Sequence, residues 1–321
     1  MKFAYEIQNR TIKIWRCFSY GAEIEIPDRL AGYPVEELAP YAFSAHMAGE
    51  KLEEKIQSGE ILLSKEDKGP VLCGSRLKGI HLPATLRKIG AYAFYNCSGL
   101  EYFSFHGSLK DLGAGLFTGC HHVRQLLLTL DETGVSCLQE ILMELNEELK
   151  LVVYRDNEEA RLVFPEFYEE GVENTPARIL MTQMHGSGMH FRNCFYQKRF
   201  DFHAYDSCFF RAKAQENRDL VLELALGRLR FPMGLGEEGR TDYEKYLREH
   251  LPEAGLWAIK QRDMELLNWL VKKYLPDNPK EETILRQLLG QAAEQGFTEG
   301  NAFLLSVLHE HFSPKEELFE F

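Results

Sequence analysis

Leu77-Lys78-Gly79-Ile80-His81-Leu82-Pro83-Ala84-Thr85-Leu86-Arg87-Lys88-Ile89-Gly90-Ala91-Tyr92-Ala93-Phe94-Tyr95-Asn96-Cys97-Ser98-Gly99 is followed without a gap by a second stretch, Leu100 to His122, in the same register. Leu77, Leu100 and Val123 fall 23 apart, as do Ile80, Phe103 and Leu126, and Leu82, Phe105 and Leu128. Outside those alternating runs the match continues: Leu86 with Leu109, Ile89 with Leu112, Gly90 with Gly113, Phe94 with Phe117, Cys97 with Cys120. A fixed period near 20 residues marks a solenoid whose units bury their apolar faces only against their neighbours. The first copy opens as a strand of about five residues ended by Pro83, and the rest turns back while sinking Leu86, Ile89 and Phe94 inward. An earlier, imperfect copy runs from Ile24-Glu25-Ile26-Pro27 through Leu38 to Tyr41-Ala42-Phe43, and Val123 starts a further strand whose return leg is replaced by something else.

These residues closely resemble the BspA-type leucine-rich repeat, a 23-residue class with a strand I-x-I-P followed by I-G-x-x-A-F-x-x-C. The resemblance covers residues 1 to 130. Tyr5-Glu6-Ile7, Thr11-Ile12-Lys13-Ile14 and Gly32-Tyr33-Pro34-Val35 look like its N-terminal cap hairpin. It implies a right-handed solenoid with a parallel sheet on its concave side, used for protein binding. A charged insertion at 47–71, with Lys51-Leu52-Glu53-Glu54-Lys55-Ile56, interrupts the array and reads as a helix and loop at its edge.

In the strand L-x-x-I-x-L the x positions point out of the core, so candidate binding columns can be named. One holds Glu25, His81, Ser104 and Leu127; the other holds Glu23, Gly79, Tyr102 and Gln125. They read either as a polar and aromatic binding strip or as a solvated sheet partly covered by the next domain. Cys97 and Cys120 stand one coil apart and read as buried free thiols.

Beyond residue 130 the spacing predicts a helix within Val135–Leu149, then a hairpin from Leu149–Tyr154 and Ala160–Phe164. Phe164 to Phe210 is dense in aromatic rings and reads as a junction. The same stretch holds His185-Gly186-Ser187-Gly188, His190, Cys194, His203 and Cys208, the residues on which chemistry would have to rest. As metal ligands their spacing fits no zinc pattern, and no G-x-S-x-G elbow is present. A backbone nest binding a small anion, with Arg178, His185, Ser187 and Arg192, is an alternative; so is a plain glycine turn before an aromatic helix.

From about residue 206 helical periodicity prevails, broken near Pro232, Pro252 and Pro276. Ala214-x4-Asp219-x2-Leu222 and Ala258-x4-Asp263-x2-Leu266 resemble degenerate ankyrin-type hairpins without the Thr-Pro-Leu-His signature. The fold class expected is therefore α/β: a short leucine-rich repeat solenoid at 1–130, a connecting helix, hairpin and aromatic junction at 131–205, and a mostly α-helical region of stacked hairpins at 206–321.

Forty-nine acidic against 37 basic residues give a net charge of -12, a field that repels phosphate backbones and anionic lipid heads. Nucleic-acid and membrane partners are disfavoured. The start, Met1-Lys2-Phe3-Ala4-Tyr5-Glu6-Ile7, has no continuous apolar run, and the seven cysteines form no Cys-x-x-Cys pair, which points to a reduced, cytoplasmic setting. The expectation is a noncatalytic protein- or peptide-binding scaffold without cofactor or metal. The alternatives are a sensor of a small anion or peptide at the 178–190 loop and an enzyme using residues 178–208.

Overall fold

A computed structural model describes residues 1–46, 49–64, 69–174, 179–276 and 278–312. The chain divides into two compact units, Met1–Gly239 and Arg240–Phe321.

The first unit is built on the 23-residue register. Its six-stranded sheet runs, in chain order and in space alike, through Glu23–Glu25, Gly79–His81, Tyr102–His106, Gln125–Thr129, Leu149–Arg155 and Glu158–Phe164. The first five strands are parallel; the last returns antiparallel as a hairpin. Gly79 pairs with Tyr102 and Tyr102 with Gln125, while Ile80 pairs with Phe103 and Phe103 with Leu126, so the sequence period is the sheet register. The parallel rungs continue past residue 130. Helix Leu138–Glu144 stands where the return leg of the fourth coil would be, and Lys150 then pairs with Gln125.

The return legs form a second sheet. Lys88–Ile89 pairs in parallel with Asp111–Leu112 and with Tyr33–Leu38, and the antiparallel hairpin Lys2–Gln8/Thr11–Phe18 extends it at the N-terminal end, edged by Leu62–Leu63 of the insertion. Gly90 and Gly113 explain the recurring glycine: a Cβ at Gly113 would lie 2.1 Å from Ala91 N, and one at Gly90 2.4 Å from Pro40 N. Only glycine lets successive coils approach that closely. Between the two sheets Phe43, Phe94 and Phe117 stack at 5.4 and 5.7 Å, and Phe103 meets Phe94 and Phe117 edge-on. Cys97 and Cys120 are buried, and each donates its thiol to a phenylalanine carbonyl of the preceding coil, Phe43 O at 3.3 Å and Phe94 O at 3.0 Å. In the 47–71 insertion, helix Gly49–Gln57 brings Leu52 and Ile56, together with Ile61, against Ala4, Trp15 and Phe18 of the hairpin.

Past the sheet lies an element that the sequence pattern does not predict. Tyr168–Asn174 and Ile179–His185 form a separate two-stranded antiparallel ribbon, so residues 179–185 are strand rather than loop. Helix Arg218–Arg230 then packs on strand Glu158–Phe164. Helix Phe202–Ser207 is tied to the same strand by the Tyr205 hydroxyl, which accepts from Val163 N at 2.9 Å and donates to Val163 O at 2.7 Å. Asp206 and Arg228 form a buried ion pair with two hydrogen bonds, at 2.8 and 3.0 Å.

In the second unit, helix Leu251–Gln261 packs on Met264–Tyr274, and Glu281–Glu294 on Thr298–Phe312. The two turns match at a spacing of 34 residues: Arg262 and Gly296 both have positive φ, and Asp263 N and Phe297 N donate to Ala258 O and Ala292 O. Asp263 caps the following helix by accepting from Leu266 N at 2.8 Å. At Ala214–Leu222 the structural counterpart lies two residues earlier, since the cap there is Asn217 rather than Asp219.

Candidate functional site

Alternation along each strand sends Ile80, Phe103 and Leu126 into the core and leaves the flanking positions on the other face. Register aligns Glu23, Gly79, Tyr102, Gln125 and Lys150 in one row, and Glu25, His81, Ser104 and Leu127 in the next. The rings of His81 and Tyr102 meet at 4.8 Å with 42° between their planes. His81 is exposed and Tyr102 half-buried, and burial pushes the Tyr102 phenol above its ordinary value.

The face is concave here, enclosing about 580 Å³. Its walls include Lys78, Glu101, His122 and Arg124, none of which belongs to the two expected columns. Three of them, Lys78, Glu101 and Arg124, stand one residue before a strand position and are 23 apart, so the period itself carried the signal. Lys78 and Glu101 pair at 2.7 Å, and Lys78 holds the Glu101 carboxyl below the usual carboxylate range. Arg124 donates to the carbonyl of Val123 at 3.0 Å. Glu23 and Glu25 are exposed and, among the described residues, have no ion-pair partner.

Two members of the expected columns behave differently. Ser104 is buried, with 5% exposure, so it is not a contact residue. A serine is too short to rise between its register neighbours His81 and Leu127. Leu127 is half-buried, beside Ser104 and Val152.

The anion candidates do not assemble. Arg178 lies outside the described residues. Arg192 is fully buried, and its guanidinium donates to the carbonyls of Leu142, Leu145, Pro165, Gly188 and Glu147. It is a structural hub with no face left for a ligand, and burial lowers its pKa to about 10, still charged at neutral pH. A Cβ at Gly188 would lie 2.0 Å from Pro165 O and 2.7 Å from Arg192 Nη1, which explains the glycine. Ser187 is also buried, and both its N–H and its hydroxyl donate to Glu216 Oε1, at 3.0 and 2.5 Å. The N–H and hydroxyl of Ser187 that an anion would use are taken by the chain's own Glu216 carboxylate. His185 stacks on Tyr168 at 4.7 Å and pairs with Glu170, while Cys194 Sγ faces His190 O and Cys208 Sγ, the latter at 3.9 Å. His185, Ser187 and Cys194 are thus turned to three different neighbours rather than to one another. Among the described residues no three His, Cys, Asp or Glu side chains are placed to hold a metal ion, and no helix is long and apolar enough to cross a membrane.

Residues 71–147 match the family model described as BspA type leucine rich repeat region, in six copies. No curated protein matches the chain. Solved structures that align with part of it include the leucine rich repeat protein of T. pallidum, 20% identical over 44% of this chain and 55% of that one, with a TM-score of 0.29. A leucine rich cell surface protein from Faecalibacterium prausnitzii is 19% identical over 42% of this chain and 32% of that one, with a TM-score of 0.27. A leucine-rich repeat protein from Bacteroides ovatus is 20% identical over 49% and 36%, with a TM-score of 0.29. The chain spans about half the length of the first of these and about a third of the others. The repeat segment is therefore similar to the BspA-type leucine-rich repeats that its residues resemble.

Proposed function

We propose that this protein is a noncatalytic interaction module that holds a protein or peptide partner against the exposed side of its parallel strands. The observation that carries the reading is the His81–Tyr102 ring pair, set in a concave surface between unpaired charges. Tyrosine in such a place supplies a large rigid contact with little rotamer entropy to lose, and the row beneath it is fixed by strand pairing. The acidic balance and the scattered cysteines support a cytoplasmic setting for the module. The 34-residue match between the two turns of the second unit supports reading residues 240–312 as a second, ankyrin-like interaction region.

The test is affinity capture from native lysate with the full chain, wild type against His81→Ala/Tyr102→Ala. A specific partner retained at least tenfold more strongly by the wild type, at unchanged melting temperature, supports the reading. Equal retention by both proteins rejects this surface as the site.

A further inference from the structure

The concave strip is electrically polarised. Its charges fall into two kinds: pairs already satisfied within the chain, Lys78 with Glu101 at 2.7 Å and Lys150 with Glu223 at 2.5 Å, and charges left open to an occupant. The open ones are segregated. Glu23 and Glu25 lie on the strand at one end, and Arg124 lies three strands away, one residue before Gln125. Glu148 also feels Arg124, but among the described residues no ion pair joins them, and burial and then the neighbouring Glu223 raise its carboxyl pKa. Between the two ends sits the Tyr102 ring; Gly79 beside it is buried, and the Glu23 side chain and Tyr102 Cβ lie 3.1 and 3.6 Å from where its Cβ would be.

We propose that the occupant is an extended peptide running across the strands with the pattern basic-x-apolar-x-acidic: a Lys or Arg over Glu23 and Glu25, an apolar side chain against the Tyr102 ring, and an Asp or Glu at Arg124. This rests on the reading of the strip as a protein-binding surface and specifies what it binds. The spacing follows from geometry. Three strand steps of about 4.8 Å separate the Glu23 row position from that of Gln125, or about 14 Å. An extended chain advances about 3.4 Å per residue, so four residues cover the same distance. Period-2 alternation then turns the first, third and fifth side chains toward the sheet together. The third stands midway, over the boundary between Gly79 and Tyr102. Opposite charges at the two ends fix register, and a partner of uniform sign would place a like charge against one end.

The experiment pans a random heptapeptide phage library against the immobilised full chain and reads enrichment by sequencing, for wild type, Tyr102→Ala, Arg124→Glu, Arg124→Gln and Glu23→Lys/Glu25→Lys, each checked for an unchanged melting curve. Wild type is expected to enrich a basic and an acidic residue four positions apart around an apolar one, at least tenfold over the starting library. Arg124→Gln loses the acidic preference, Arg124→Glu converts it to a basic one, and the Glu23/Glu25 variant selects acids at both ends. Tyr102-dependent enrichment without this charge pattern, or the same pattern on Arg124→Glu, overturns the inference while leaving the strip a binding surface. No enrichment by wild type over Tyr102→Ala overturns both.

Discussion

Replacing Phe94 with alanine should cost the first unit about 5 kcal/mol, more than the same change at either of its stacked neighbours. Phe94 is fully buried and meets three rings: Phe43 at 5.4 Å, Phe117 at 5.7 Å and Phe103 at 5.5 Å. Phe117 meets two rings, Phe94 and Phe103, and Phe43 meets one, Phe94. Truncation of a buried phenylalanine costs about 3–5 kcal/mol, and each aromatic pair adds about 0.5–1.5 kcal/mol beyond buried area. The expected order is Phe94→Ala, then Phe117→Ala, then Phe43→Ala. With two compact units in the chain, the readout must belong to the first. Trp15 lies in the first unit and Trp257 and Trp269 in the second, so a Trp257→Phe/Trp269→Phe background leaves Trp15 fluorescence as the reporter in urea. With a slope of about 1–3 kcal/mol per molar urea, the Phe94→Ala midpoint should fall by roughly 2 M or more. A loss below about 1 kcal/mol for both Phe94 and Phe117, or a larger loss at Phe117, would refute the stacked-coil reasoning.

Arg192→Lys should destabilise the first unit by about 2–5 kcal/mol, because three ammonium donors cannot serve five carbonyls and each one left bare costs about 1–3 kcal/mol; urea unfolding within about 0.5 kcal/mol of wild type, less than one such bare carbonyl costs, contradicts the hub. Iodoacetamide at neutral pH should modify Cys208 ahead of Cys17, Cys120 and Cys137: a hydrogen bond from Cys194 lowers the Cys208 pKa, whereas burial pushes the other three up to about 12. Peptide mapping that finds those three modified first rejects the assignment. Burial holds the His106 and His190 pKa values below 6.5, so below that value the unfolded chain binds more protons and stability falls as pH drops. Melting scans between about pH 7.5 and 5.5, spanning the ordinary histidine range, should show a smaller decrease for His106→Gln than for wild type, and equal decreases would remove His106 from the account.

The repeat was legible because every physical requirement of a coil recurs at one spacing. Strand alternation, the stacked phenylalanine, the close-approach glycine and the carbonyl-bonded thiol each return after 23 residues, so two copies were enough to set register. The fifth parallel rung, Leu149–Arg155, was hidden because helix Leu138–Glu144 replaces the return leg and moves the pairing from a separation of 23 to 25 residues. The ribbon at 168–185 was hidden for another reason. It pairs with neither main sheet, and Tyr168-Glu-Glu-Gly-Val-Glu-Asn carries no apolar alternation to announce a strand. Arg192 looked like a ligand for anions because its five acceptors come from segments up to 50 residues away, and no local pattern announces them.

At the candidate site the columns were readable and the charges were not. Alternation placed Glu23, His81 and Tyr102 outward, but it also placed Ser104 there, and side-chain length rather than direction decided its burial. Lys78, Glu101 and Arg124 share the 23-residue spacing, yet period alone cannot say which of them is neutralised. Stacking decides that. Lys78 and Glu101 occupy adjacent coils and satisfy each other, whereas the next position in the row beyond Arg124 is Leu149, which offers no carboxylate. An odd number of charged coils therefore leaves one cation open, on the opposite side of Tyr102 from Glu23 and Glu25, and that leftover gives the strip its polarity.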